Sequence, residues 1–425
     1  MPKCESDDLL IARYGASLGR VCSGKEGSYN VALVKILFDK ARLDRNWVKL
    51  FLNSSWFQDP LFLVSRSAQN GFNKDEVFPR PVPLPPLNEQ QRIVSTIEQL
   101  TDRSNKARAA LEDVPKLIAQ FRQSVLAAAF RGDLTADWRE KNPDVEPASE
   151  LLERIKIDSS STLKNKYSNT TSHARLPDGW CWTRVDSVGK VSLGRQRSPK
   201  YHQGTQMRPY MRSANITWKG WDLSDINEMN FDDRDFATFK LERGDVLINE
   251  GSGSADEVGK PAIWNDEIPD CCFQNTLISV RPFEKMSKYI YFVFLNAALS
   301  KAFVDETRGV NIHHIGKQGL TQFLVPLTSL QEQAEVVSRI EKCFKSIQSI
   351  EEQYKNSHGQ LEILDRSILA KAFRGELVPQ DPNDEPAAVL LDRIRAERDR
   401  TSTPKQHGKT TRKNSSKQLS IDGIE

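Results

Sequence analysis

From Asn88 to Phe130 the apolar positions recur alternately every three and four residues. One series runs Ile93, Leu100, Ala107, Val114, Phe121, and the other Ile97, Ser104, Leu111, Ile118, Val125. A 3.5-residue spacing held this long predicts a coiled-coil seam rather than the broad stripe of a helix lying on a globular core. At 1.5 Å per residue such a helix is about 65 Å long. The pattern returns in the same frame further on, where Val336, Cys343, Ile350 and Leu364 alternate with Ile340, Ile347, Tyr354, Leu361 and Ile368, interrupted by Ser357. Pro79, Pro81, Pro83, Pro85 and Pro86 enforce extended backbone before the first helix, and Asn88 is its expected N-cap. Glu89 and Gln90 then fall in the first turn, where an acid suits the helix dipole. Pro115 and Gly359 lie within one position of the same depth in the two helices, which predicts a shared kink. Antiparallel pairing within one chain is expected, because each helix leaves a globular unit and must return the chain to the next.

The recurrence extends beyond periodicity. Val82-Pro83-Leu84-Pro85-Pro86-Leu87-Asn88-Glu89-Gln90 reappears as Val325-Pro326-Leu327-Thr328-Ser329-Leu330-Gln331-Glu332-Gln333, at an offset of 243 residues. Ser124-Val125-Leu126-Ala127-Ala128-Ala129-Phe130-Arg131-Gly132 returns at the same offset as Ser367-Ile368-Leu369-Ala370-Lys371-Ala372-Phe373-Arg374-Gly375. No insertion or deletion separates the copies, so the element between the two motifs has a fixed length. After each helix comes a glycine stop and a short amphipathic helix, Glu146-Pro147-Ala148-Ser149-Glu150-Leu151-Leu152 and Glu385-Pro386-Ala387-Ala388-Val389-Leu390-Leu391. The result is a duplicated module with internal pseudo-symmetry.

Outside the helices the pattern is mixed α/β. Residues 1–81 carry strand-like Leu9–Ala12 and Val31–Ile36, then a helical stretch through Trp47–Phe57. In the unit from about 176 to 330, Gly244-Asp245-Val246-Leu247-Ile248 matches Asp7-Asp8-Leu9-Leu10-Ile11, and Asn275–Val280 matches Asn30–Lys35. Residues 1–81 therefore correspond to the second half of a domain whose first half, about 65 residues, is expected upstream. Residues 158–174 read as a flexible linker, and residues 401–419 as a basic tail without an acid. No apolar run reaches the roughly 20 residues a membrane helix needs, and six cysteines show no metal-binding spacing. A cytoplasmic protein with free thiols, Cys271-Cys272 acting as apolar filling, is the expectation.

Charged residues make up 28% of the chain and the net charge is +3, which neither demands nor excludes nucleic acid. The catalytic search is empty. Gly251-Ser252-Gly253 with Gly259-Lys260 has one residue too many for a phosphate loop, and Pro261 replaces the magnesium-binding hydroxyl. His313-His314 reads as a polar loop pair. From Arg184 to Lys219, by contrast, eight cations stand against the single acid Asp186, with Tyr201, Tyr210 and Trp218 interleaved. Arginine, glutamine and asparagine can pair with base edges and lysine with phosphate. The candidates are Arg195, Gln196, Arg197, Ser198, Lys200, Arg212, Asn215, Trp218 and Lys219, with a second loop through Arg308, Asn311 and His313. Residues 222–270 are acidic, so one basic face is expected.

The doubled Pro-Leu-x-x-Leu-x-Glu-Gln, Ala-Phe-Arg-Gly-Asp/Glu-Leu and Glu-Pro-Ala-x-x-Leu-Leu-x-Arg-Ile motifs resemble the conserved regions of type I restriction-modification specificity subunits. Leu176-Pro177-Asp178-Gly179-Trp180 and Gly244–Ile248 look like that family's target recognition domain. The resemblance covers nearly the whole chain except the basic tail. It implies α/β (α+β) recognition domains joined by two long helices that form an intramolecular antiparallel coiled coil, with a pseudo-two-fold internal repeat. The implied organisation is half of a first recognition domain at 1–81, spacer helix and short helix at 82–157, and a linker at 158–175. A second recognition domain follows at 176–325, then the second spacer at 326–399 and the tail at 400–425. The seam and docking residues would be Ile93, Ile97, Leu100, Leu111, Ile118, Phe130, Val336, Ile340, Ile347, Tyr354, Leu361, Leu364 and Phe373. The resemblance further implies a subunit without catalysis of its own that binds a bipartite site on double-stranded DNA. It would dock two adenine methyltransferase subunits and the restriction subunits, which would carry S-adenosylmethionine, ATP and Mg²⁺. The rivals are a DNA-independent coiled-coil scaffold and an inactive, truncated remnant.

Overall fold

The computed structural model describes residues 1–65, 71–72, 81–159, 175–252, 257–303 and 313–401. The chain folds as two compact units, Met1–Leu111 with Asn356–Glu425, and Glu112–Lys355.

In the larger unit a four-stranded antiparallel sheet runs in the order Pro261–Ile263, Val246–Asn249, Leu277–Pro282, Gly189–Leu193. Alternation along its strands sorts side chains to two faces. Val246, Ile248, Ile278 and Val280 point into one core, where the helix Ser287–Leu299 supplies Tyr289, Ile290, Val293 and Phe294. Leu247 and Leu277 point into another, with Met211, Ile216, Trp264 and Phe273. A second sheet joins Asn227–Asn230, Met207–Met211 and Cys272–Phe273. Cys271 and Cys272 are buried free thiols, each pushed up to about 12 by loss of solvent, so filling is what they do. The sheet domain of this unit opens with Cys181–Arg184 and closes with Leu324–Leu327, paired antiparallel from Arg184 opposite Leu324 to Cys181 opposite Leu327.

The smaller unit repeats part of this plan. Leu9–Ala12 lies between Val21–Cys22 and Leu33–Ile36 in a three-stranded antiparallel sheet. The helical stretch expected through Trp47–Phe57 is two helices, Arg45–Asn53 and Ser55–Ser65, with the Asp44 carboxylate capping the first through the amides of Asn46 and Trp47.

The long helices pair antiparallel in each unit. In the smaller one Ile93, Val94 and Ile97 share a core with Ile368, Ala372 and Phe373, while Arg108 meets Asp365 at 2.5 Å. In the larger one Val125, Leu126, Ala129 and Phe130 pack with Val336 and Ile340, and Arg122 meets Glu351 at 3.3 Å. Three expectations are corrected. The first helix begins at Leu87, not after an Asn88 cap, and the Asn88 amide instead donates to Asp384. In the second helix, which begins at Leu330, Ser329 caps by accepting the Glu332 amide, a role Pro86 cannot play at the matching position.

The shared kink is not shared. The first copy divides at Asp113 into Leu87–Glu112 and Val114–Arg131, because Pro115 cannot donate a backbone hydrogen bond and crowds the preceding turn. The second copy is continuous from Leu330 to Phe373 through Gly359, which weakens a helix by only about 1 kcal/mol relative to alanine. The seam is also narrower than expected. Ile97, Ser104, Ile118, Ile340, Ile347 and Ile368 are buried, and Leu111, Tyr354 and Leu361 are half-buried. In the other series Ile93 and Val336 are buried and Leu100 half-buried, but Phe121, Ile350 and Leu364 are 49%, 45% and 47% exposed. Two helices alone bury most of one register and leave much of the second facing outward.

Candidate nucleic-acid interface

Three strands of the four-stranded sheet meet at one end, where Gly189–Leu193 and Val246–Asn249 finish and Leu277–Pro282 begins. Leu193 lies opposite Ile278, and Asn249 opposite Leu277. The loop after Leu193 is tied there by the Arg195 amide to Phe273 O (3.0 Å) and by the Asn275 amide to Arg195 O (3.0 Å). Beyond Asn249, Gly251–Ser252 pairs with His313–His314, and the Ser213 amide donates to Thr276 Oγ1 at 3.0 Å. A hairpin, Ile216–Thr217 with Gly220–Trp221, carries Trp218 and Lys219 at its turn, and Lys260 Nζ lies 5.8 Å from the Trp218 ring centre. The topology thus gathers residues distant in sequence at one sheet end.

The candidates divide by what their polar atoms already bind. Gln196, Arg197, Lys200, Trp218 and Lys219 are exposed and Ser198 half-buried. Arg197 Nε reaches His202 Nε2 at 3.4 Å, and Lys200 Nζ sits 4.7 Å from the Tyr201 ring centre. Among the described residues neither cation, nor Lys219, has an ion pair. Arg195 differs. It is buried, pairs with Asp235, donates to Asn230 O and stacks 3.6 Å above Tyr201. Arg195 and Lys200 hold the Tyr201 phenol below its ordinary value, Lys200 more strongly. Asn215 is buried too, its amide donating to the carbonyls of Asp222 and Asp225 at 3.0 Å each while its Oδ1 accepts the Arg212 amide. Arg212 is half-buried and bound to Asp225. These three side chains build the frame of the loops, each already bound to a neighbouring acid or carbonyl, although Arg212 Nε is buried without an acceptor among the described residues.

The expected separation of a basic face from an acidic one is not kept. Arg195, Arg208 and Arg212 pair with Asp235, Asp233 and Asp225, and Arg184 with Asp186, so the acidic segment interleaves with the basic one. Arg208 also stacks 3.5 Å over Phe236. Sequence clustering cannot distinguish a cation that a folded acid neutralises from one that stays free. Arg308 and Asn311 lie outside the described residues, and His313 is described only as a paired backbone position. Lys260 was missed. It sits beside Trp218 at the same sheet end and pairs with Glu257. Its only signal was the glycine-rich turn before Pro261.

Among the described residues no group of three or more His, Cys, Asp or Glu side chains is placed to hold a metal ion. No described helix is long and apolar enough to cross a membrane. The chain is similar to the specificity subunit of the type I restriction enzyme EcoKI of Escherichia coli strain K12, with 26% identity covering 93% of this chain and 82% of that protein. It is 28% identical to the StySPI specificity subunit of Salmonella potsdam, with the same coverage. Its fold is like that of a chain solved in work on complex assembly and conformational transition of the type I R-M system, with a TM-score of 0.62 and 19% identity over 88% of this chain and 83% of the other. The family model for the type I restriction modification DNA specificity domain matches residues 3–113 and 177–357, most of the chain, which therefore belongs to that family.

Proposed function

We propose that this chain is the DNA-reading subunit of a type I restriction-modification complex whose chemistry resides in its partners. One observation carries the reading: Gln196, Arg197, Lys200, Trp218 and Lys219 stand exposed together at a single sheet end, with their donors uncommitted to internal ion pairs. Arginine and glutamine there can fork to guanine and adenine edges in the major groove while the lysines meet phosphates. The gapless 243-residue repeat supports a spacer of fixed length, as a bipartite site on helical DNA demands. Two methyltransferase subunits, and through them the restriction subunits, would dock on the long helices, where Leu117, Phe121 and Ile350 leave apolar surface uncovered. S-adenosylmethionine, ATP and Mg²⁺ would be bound by those partners.

The test is methylome sequencing of the host with and without the gene, joined to DNA binding by the assembled complex across a salt series. Loss of one bipartite methyladenine motif, and affinity falling steeply as salt rises, are expected. Arg197→Ala should relax the sequence preference at one position by about 1–3 kcal/mol. Lys219→Ala should weaken all sequences alike and flatten the salt slope by about one. An unchanged methylome with salt-indifferent binding would leave the scaffold reading standing.

A further inference from the structure

The apolar seams of the two long helices are interchangeable. Ile93 corresponds to Val336, Ile97 to Ile340, Leu111 to Tyr354 and Ile118 to Leu361, all at the 243-residue offset and in one heptad frame. Ile93, Val336, Ile97 and Ile340 are buried alike. Packing of this kind gives a helix little means of telling its counterpart from a second copy of itself.

The charged positions beside the seam are different. In the smaller unit Arg108 Nη2 donates to Asp365 Oδ2 at 2.5 Å, and in the larger unit Arg122 Nη2 reaches the two Glu351 carboxylate oxygens at 3.4 and 3.3 Å. Each of these four residues directly follows a member of one apolar series, Ala107, Phe121, Ile350 or Leu364, so all share one heptad position. His358 is the only other titratable residue at that position in either helix. The rungs have further support from the fold. Asp365 Oδ1 is buried without a partner among the described residues, which leaves that carboxylate dependent on Arg108. The Arg122 guanidinium lies 5.6 Å from the ring centre of Phe344 on the facing helix.

The repeat reverses the sign of these charges. The offset that relates the helices carries Arg108 to Glu351 and Arg122 to Asp365. In both units the first helix supplies the arginine and the second the acid. Arg108 and Arg122 lie two heptads apart, as do Glu351 and Asp365. A second copy of the first helix, laid antiparallel in the same register, would therefore set Arg108 against Arg122 twice over. A second copy of the second helix would set Glu351 against Asp365. Every attraction would become a repulsion, so the discrimination counts both, although each part-exposed rung contributes little alone.

We propose that Arg108, Arg122, Glu351 and Asp365 form a pairing code, by which each long helix accepts its counterpart and refuses a second copy of itself. The inference is independent of DNA reading, because it concerns only which helices pair.

The experiment compares three variants of the full chain. The acidic chain carries Arg108→Glu and Arg122→Glu, the basic chain carries Glu351→Arg and Asp365→Arg, and the inverted chain carries all four. The acidic and basic chains set like charges on both rungs, so each should unfold at lower urea than the parent in low salt. The inverted chain restores opposite charges and should recover most of that loss. Tagged and untagged chains are then refolded together from urea, and the tagged chain is captured. The tagged acidic chain should retain about fivefold or more basic chain than acidic chain. That preference should fade in about 1 M salt, where the Debye length is about 3 Å. An inverted chain no more stable than the acidic one overturns the proposal. So does an acidic chain that retains itself as readily as it retains the basic one, whatever its own stability.

Discussion

Glu332 and Glu89 lie in the first turns of two helices that share a frame and a lead-in, and they end in opposite circumstances. Glu332 is closed over by hydroxyls, a guanidinium and an indole; Glu89 faces a cavity with the Gln380 amide as its side-chain donor. The same divergence runs through the repeat. The turn before the first matched strand is copied bond for bond: the Glu5 amide donates to Asp8 at 2.8 Å and the Glu242 amide to Asp245 at 2.9 Å. Yet Asp245 is forked by Arg281, while Asp8 is shared by Lys35 and Lys40. Duplication has kept the backbone geometry and let the side-chain partners drift. A residue's role is therefore set by what the other copy lacks as much as by its own motif.

The contrast can be broken most severely at Trp180. Trp180→Ala removes a large buried ring and one donor to Glu332, and should cost about 3–5 kcal/mol in urea unfolding. Glu89→Ala, with fewer bonds to lose, should cost clearly less. The paired turns offer a second handle through pH. The Glu5 amide, then Lys35, hold the Asp8 carboxyl at about 2, below its ordinary 3.8. A depressed value means Asp8 stabilises the fold above about pH 4 and loses that contribution as pH falls toward 2. Acid titration of Asp8→Asn should show a shallower decline across that window than the parent.

A third comparison sets the two helices against each other. A Cβ at Gly359 would meet nothing within 4 Å, so Gly359→Ala should raise stability by about 1 kcal/mol. A proline placed there should copy the break that Pro115 makes in the first helix. The smallest effect belongs to the rungs. Arg108–Asp365 and Arg122–Glu351 are each about one-third exposed, and truncating either arginine should cost below about 1 kcal/mol, less still in high salt.

The helices were legible because their signal is periodic and long. Ile97, Ile118, Ile340, Ile347 and Ile368 are buried as their spacing required. Phe121, Ile350 and Leu364 are not, since a heptad specifies which residues share a face but not how many helices cover it. At the sheet end, composition marked loops that the fold brings together and could not rank their side chains. Arg195 and Arg197 look alike in sequence; only the fold brings Asp235 and Tyr201 to the first and leaves the second exposed. The Pro115 break was expected with a twin at Gly359, and the twin failed because missing a hydrogen-bond donor and missing a side chain are different defects.

The pairing of Cys181–Arg184 with Leu324–Leu327 has a consequence for inheritance. The polypeptide enters and leaves the larger sheet domain on adjacent, in-register strands, so its two ends are one hydrogen-bonded ladder apart. Everything between them can be replaced as a cassette without moving the helix that follows, provided the incoming segment starts and stops on the same two strands. Recombination at those short ladders would alter what is read while leaving untouched the long helix that continues from them.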